Sequence, residues 1–244
     1  MNKDWDWIFE TYVRRFTSPD GRDTFETSDE LVKRIILFSD LSPHDTVIDM
    51  GCGWGNVSLG IAPFVEKVIG IEPNDTNIQS AKRTMQQTSV RNVEYRKGSF
   101  EAPGYAGKVD KIISSLVFHQ VKKNKRQQSL ANVKNLLQPD GSFILCDTLM
   151  FFDPREEREK FNAVYRYLLA VTTPSDIYDN HIKPYLADTG YMYSWYDMEK
   201  YTPEDYRYYS KGELEKQLLE IGMEIKRIEE FSPFFGIFKI ENIG

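Results

Sequence analysis

The chain has 244 residues, 41% hydrophobic and 28% charged, proportions that suit a globular protein able to bury a sizeable core. A net charge of −6 argues against sequence-independent nucleic-acid binding, which needs a basic footprint. No run of about 18 apolar residues predicts a membrane-crossing helix, and the two cysteines, Cys52 and Cys146, offer neither a disulfide framework nor metal-ligand spacing.

The N-terminus, M-N-K-D-W-D-W, is acidic and aromatic and lacks the basic start and apolar run of a signal peptide. With unpaired cysteines, this gives the expectation of a cytoplasmic protein, monomeric or homodimeric, without membrane insertion. Residues 1–45 read as a helical cap. Trp5, Ile8, Phe9, Tyr12 and Phe16 recur at helical spacing, and a second helix opens at the capping box Thr27–Glu30.

The periodicity then changes. T-V-I-D-M (46–50), K-V-I-G-I (67–71), V-E-Y (93–95), V-D-K-I-I-S-S (109–115) and S-F-I-L-C-D (142–147) read as short strands. Helices fall between them, over Asn74–Thr88 and Asn124–Leu137, and Q-P-D-G at 138–141 predicts a stop and a turn. Lys122, Lys123, Lys125 and Arg126 read as the solvated start of the second of these helices. Strands alternating with helices predict a doubly wound parallel sheet. Residues 150–209 carry no strand signal and hold eleven of the 14 tyrosines, which predicts a helical insert. Most of those tyrosines are expected to pack helices and a few to contact a planar or cationic acceptor. A helix opened by the capping box Ser210–Glu213 follows, then two strands, 223–231 and 234–240, too closely linked to be anything but antiparallel. The expectation is an α/β, Rossmann-like, seven-stranded sheet with the last strand antiparallel. Its core comprises 46–149 and 210–244, with the cap at 1–45 and an acceptor-binding insert at 150–209.

V-I-D-M-G-C-G-W-G, from Val47 to Gly55, turns a buried strand sharply into a helix while letting the backbone approach a ligand. Glu72, at the end of the next strand, can accept hydrogen bonds from both hydroxyls of a ribose. Together they point to an adenosine-containing cofactor. A dinucleotide loop is G-x-G-x-x-G with a pyrophosphate at its helix. Here the loop is G-C-G-W-G, preceded by an acid, Asp49, which suits an ammonium group such as the methionine end of S-adenosylmethionine.

D-M-G-C-G-W-G resembles the first motif of class I S-adenosylmethionine-dependent methyltransferases, and I-E-P at 71–73 resembles their second. S-S-L-V-F-H-Q-V at 114–121 and L-Q-P-D-G at 137–141 resemble segments of the small-molecule members of the ubiquinone/menaquinone type. The resemblance implies that Asp49, Gly51, Cys52, Gly53 and Gly55 surround the methionine part of the cofactor. It implies that Glu72 holds the ribose, that Pro73 lies near the adenine and that Ser114 sits near the methionine. Ser99 stands where the family commonly has an aspartate that reads the adenine, leaving Phe100 to stack or bond through its backbone. Tyr12 and Trp5 would close over the cofactor. His119, after the fourth strand, is the candidate general base, histidine being the residue type suited to proton abstraction near neutrality, against the alternative that it packs or caps the next helix. His44 and His181 read as surface residues. The implied activity is methyl transfer to a small molecule, with no metal and no nucleic acid. The alternatives are a protein or RNA methyltransferase, a non-catalytic S-adenosylmethionine-binding protein, and a nicotinamide dehydrogenase.

Overall fold

A computed structural model describes residues 29–172, 175–202 and 207–244. The predicted helix over Trp5–Phe16, with Tyr12, and the start of the Thr27–Glu30 capping box lie outside the described residues. Five strands run parallel: β1 (Thr46–Met50), β2 (Lys67–Glu72), β3 (Val93–Lys97), β4 (Val109–Ser115) and β5 (Leu137–Thr148). β6 (Met223–Ser232) and β7 (Phe235–Asn242) complete one sheet in the order β3-β2-β1-β4-β5-β7-β6. As expected, β7 is antiparallel to both its neighbours.

Alternation along each strand sends side chains to two cores. Val47, Val68, Ile113 and Ile144 face one side, packed under α1 (Asp29–Phe38), α2 (Asn56–Ile61), α3 (Asp75–Gln86) and α5 (Arg158–Thr172). Ile48, Ile69, Ile112 and Phe143 face the other, under α4 (Lys123–Leu136) and α8 (Lys211–Glu220). With both faces covered, each central strand must be apolar on both sides, which is why these segments read as continuous apolar runs. Between β5 and α8 lie α5, α6 (Lys183–Thr189) and α7 (Trp195–Tyr201), helices where no strand was expected. The Ser210–Glu213 capping box forms in both directions.

Two expectations are corrected. Q-P-D-G follows the end of α4 at Leu136, as the expected stop requires, but it makes no separate turn: it bulges within β5, whose register on β4 jumps from Val109↔Leu137 to Lys111↔Ser142. The Lys122–Arg126 cluster is not wholly solvated, because Arg126 is only 2% exposed. Among the described residues, no helix is long and apolar enough to cross a membrane.

Candidate active site

The chain winds outward from β1 through β2 to β3, then returns to place β4 on the other side of β1. In such sheets ligands bind at the carboxyl ends of the strands where the winding reverses, here between β1 and β4. The glycine loop follows β1 and His119 follows β4, so the two flank that crevice.

Gly51 (φ 79°), Gly53 (φ 51°) and Gly55 (φ 87°) all adopt the left-handed region. Two of them show what the loop requires. A Cβ on Gly51 would stand 2.5 Å from Val117 Cγ1, so glycine there lets the loop after β4 lie directly on this one. A Cβ on Gly53 would meet nothing within 4 Å, which leaves that side of the loop open to a ligand. The amides of Gly51 and Cys52 donate to the Ile71 carbonyl at 2.7 and 3.1 Å, tying the loop to the end of β2.

Glu72 ends β2. Its Oε2 accepts from the Gly53 amide at 3.1 Å, and its Oε1 accepts from the Asn74 amide at 3.0 Å and from Asn77 Nδ2 at 3.1 Å. The carboxylate is therefore fixed at the loop's edge. Asp49 sits one strand away with its side chain directed towards α2, beneath the loop, where Ser58 Oγ donates to its Oδ2 at 2.5 Å. Burial pushes the Asp49 carboxyl up to about 6 despite that bond, and the nearby Glu72 adds to the effect. Cys52 is buried, and its thiol is pushed well up, first by burial and then by Asp49 and Glu72.

Across the crevice, His119 lies in a single helical turn, Phe118–Gln120. Leu116, just before it, holds a left-handed φ of 58°, a strained conformation for leucine of the kind that clusters at functional sites. His119 Nδ1 is 2.6 Å from Asp147 Oδ1, and the His119 amide donates to Asp147 Oδ2 at 2.7 Å. The Tyr209 hydroxyl donates to the same Oδ2 at 2.9 Å. Arg126 Nε donates to the Val121 carbonyl at 3.0 Å, and its Nη2 donates to the carbonyls of His119 (3.3 Å) and Arg207. The guanidinium lies 4.8 Å from the Tyr209 ring centroid. Asp147, Tyr209 and Arg126 escaped the sequence reading. One signal was present: Asp147 is an acid ending a buried strand, as Asp49 and Glu72 nearly or fully do.

The other predicted residues divide. Ser114 is fully buried in β4 and its hydroxyl has no partner, a buried polar atom at the strand end beside the crevice. Pro73 is exposed at the turn into α3. The Ser99 hydroxyl accepts from the Ala102 amide at 3.2 Å. The expected stacking by Phe100 is corrected: its ring is buried, edge-on to Phe118 at 5.2 Å and to Phe143 at 6.4 Å, so only its backbone is left for a cofactor. His44 and His181 are exposed as expected. Tyr12 and Trp5 lie outside the described residues.

Residues 47–141 match a family described as a methyltransferase domain. An uncharacterised methyltransferase of Alkaliphilus oremlandii is 25% identical over 208 residues, covering 82% of this chain and 94% of that one. The fold is similar to that of the YcgJ protein from Bacillus subtilis (TM-score 0.62, 14% identity, covering 89% of this chain and 100% of that one). It is also similar to the mycolic acid cyclopropane synthase CmaA1, solved with SAH and CTAB (TM-score 0.59, 16% identity, covering 90% of this chain and 73% of that one). Sheet order, glycine loop and domain match together support an S-adenosylmethionine-dependent methyltransferase.

Proposed function

We propose that the chain methylates a small molecule, with the cofactor held by the loop after β1 and the acceptor beside His119. Gly51, Cys52, Gly53 and Gly55 would cradle the methionine part, Glu72 the ribose hydroxyls, and the backbone of Ser99 and Phe100 the adenine, with Pro73 and Ser114 alongside. The open space at Gly53 and the partnerless Ser114 hydroxyl fit such a ligand. Bound there, the cofactor supplies a methyl group made electrophilic by its sulfonium. The ammonium of the methionine part would favour the ionised form of Asp49, whose carboxyl is otherwise raised by burial.

The observation that carries the small-molecule reading is how the helices of 150–209 are pinned beside the crevice. Glu199 of α7 pairs with Lys123 at 2.5 Å, the Arg207 carbonyl accepts from Arg126, and Tyr209 bonds Asp147. Such anchoring makes these helices a wall on the acceptor side, which suits an enclosed metabolite better than a polymer. Residues 1–45, with Tyr12 and Trp5, would act as the cap. An aromatic series runs outward through Tyr165, Tyr193 and Tyr191, with neighbouring ring centroids 5.1 and 5.3 Å apart. It offers a face for a planar acceptor.

The chemistry asked of the chain is alignment and exclusion of water, which can supply most of the acceleration. The test is incubation with methyl-labelled S-adenosylmethionine and, separately, fractionated metabolites, RNA and protein. Label is expected in the metabolite fraction; label in RNA or protein would sink the reading. Binding without transfer to any fraction would favour a non-catalytic protein. Replacing Glu72 with alanine removes the ribose acceptor and is expected to weaken cofactor binding by roughly 10- to 100-fold in calorimetry. Unchanged affinity would refute the ribose assignment.

A further inference from the structure

We infer that Asp147 and Tyr209 are positioning residues that keep the His119 ring proton on Nδ1, so that Nε2 is the nitrogen that takes up a proton, and that the acceptor's attacking atom is an oxygen that still carries its proton on binding. The inference rests on the methyl-transfer reading above.

The protons of the cluster can be counted. Asp147 is fully buried, and its Oδ2 accepts from two groups. One is the backbone amide of His119, which can only donate. The other is the Tyr209 hydroxyl. Burial, reinforced by the adjacent carboxylate, pushes that phenol well above its usual range, so it stays protonated. Both partners of Oδ2 are donors, so that oxygen carries no proton of its own. Oδ1 lies 2.6 Å from Nδ1, and two bare lone pairs do not approach so closely. A carboxyl is by nature a much stronger acid than an imidazolium, so the proton between them belongs to Nδ1. In a neutral imidazole the other nitrogen is then the acceptor. The ring carries Nε2 away from the buried carboxylate, and the histidine side chain is 18% exposed, on the loop that lies against Gly51.

Such a base is useful only if the acceptor has a proton to lose. A thiol, with an unperturbed pKa of about 8.5, supplies some thiolate unaided near neutrality, whereas a phenolic hydroxyl, at about 10, supplies almost none. The oxygen's proton passes to Nε2 as one of its lone pairs forms the oxygen–methyl bond. The sulfur–methyl bond breaks with its pair left on sulfur, giving S-adenosylhomocysteine. The Asp147 carboxylate faces the resulting imidazolium, which returns its proton to water. The charged or titratable groups around this cluster are Asp147 and Cys146 on β5, Tyr209 and Glu213 where the helical segment returns, and Arg126 on α4.

The same count predicts what Asp147→Asn does. The two donors at Oδ2 require the amide's oxygen there, which turns its NH2 towards Nδ1. Nδ1 must then accept, and the proton moves to Nε2, where the base was. Two-bond proton–nitrogen NMR of the full chain reads the tautomer directly, with His119→Gln assigning one signal among the three histidines. The expected result is Nδ1–H in the native chain and Nε2–H in Asp147→Asn. Native Nε2–H would overturn the inference, whatever the chain's activity.

The second arm uses S-adenosylmethionine labelled with carbon-13 in its methyl group and a fractionated metabolite extract, because the product methyl's chemical shift tells oxygen from nitrogen, sulfur or carbon. An O-methyl product is expected; an S-, N- or C-methyl product would overturn the acceptor class. With that product as readout, Asp147→Asn should lower kcat at least about 100-fold, leave KM nearly unchanged and remove the acid limb of the pH profile. Tyr209→Phe keeps the ring and should lower kcat roughly 5- to 10-fold. An unaltered kcat and pH profile in both variants would refute the positioning role. No methyl product at all would strike the methyl-transfer reading instead, and the tautomer would still decide the histidine cluster.

Discussion

The glycine loop and the histidine cluster face each other across the same crevice, yet they are assembled in opposite ways. The loop is local. Gly51 to Glu72 spans two strand ends and one short helix, and its bonds run through backbone amides. The histidine cluster is long-range. His119 meets Asp147 across 28 positions, Asp147 meets Tyr209 across 62, and Arg126 meets Arg207 across 81. A backbone-built site tolerates many side chains as long as its glycines remain. A side-chain-built site depends on each member, because every buried donor and acceptor needs its partner. The two regions should therefore fail differently.

The largest effect is expected on the long-range side. Arg126→Met leaves the buried ends of three carbonyls, on His119, Val121 and Arg207, without their donor. We expect a loss of about 3 to 4 kcal/mol in denaturant unfolding, with a matching fall in Tm. A loss under about 1 kcal/mol would show that Arg126 is not what joins α4 to the helical segment.

The loop offers a paired test. Gly51→Ala combines a left-handed φ with a collision against Val117 and should cost about 3 kcal/mol, whereas Gly53→Ala bears only the backbone strain, about 1 kcal/mol. Equal losses would mean that the two loops do not rest on one another.

Asp49→Asn tests the opposite sign. The Asp49 carboxyl rises from its ordinary 3.8 to about 6, chiefly through burial. Between those values the folded chain binds more protons than the unfolded one, so stability falls as pH rises through the window, by about 3 kcal/mol in all. Asparagine removes that dependence. The variant should be more stable than the parent near pH 7 and equal to it below about pH 4, while binding the cofactor more weakly. Urea unfolding across that range checks the first part and calorimetry the second. A variant less stable than the parent near pH 7 would contradict the burial argument.

The smallest effect belongs to Lys123→Ala. Its pair with Glu199 is half exposed on the lysine side, and losing it should cost under about 1 kcal/mol. A larger loss would make that surface pair, rather than the buried Arg126, the anchor of the helical segment.

The legibility of each region follows from its construction. The strands after residue 45 were readable because burial on both faces demands apolar residues without interruption. The glycines were readable because left-handed backbone leaves few alternatives. Q-P-D-G marked the helix end but misled about the turn, since turn residues also serve inside a bulge, and only the pairing with β4 shows which use applies. Arg126 misled because it stands in a run of surface lysines, and only the fold brings carbonyls and the Tyr209 ring to it. Phe100 misled because a motif position says where the backbone goes, not which core the ring fills.

By itself, then, the sequence determined the doubly wound sheet, the antiparallel last strand and the glycine loop with Glu72 beside it, all of which rest on periodicity and backbone conformation within short spans. Only the tertiary structure decided that His119 has a buried carboxylate behind it, that Tyr209 returns to hold that carboxylate, and that Arg126 closes the cluster. Those contacts join residues that share no local pattern. What selects them is the need to satisfy each buried polar group once the chain has folded over it.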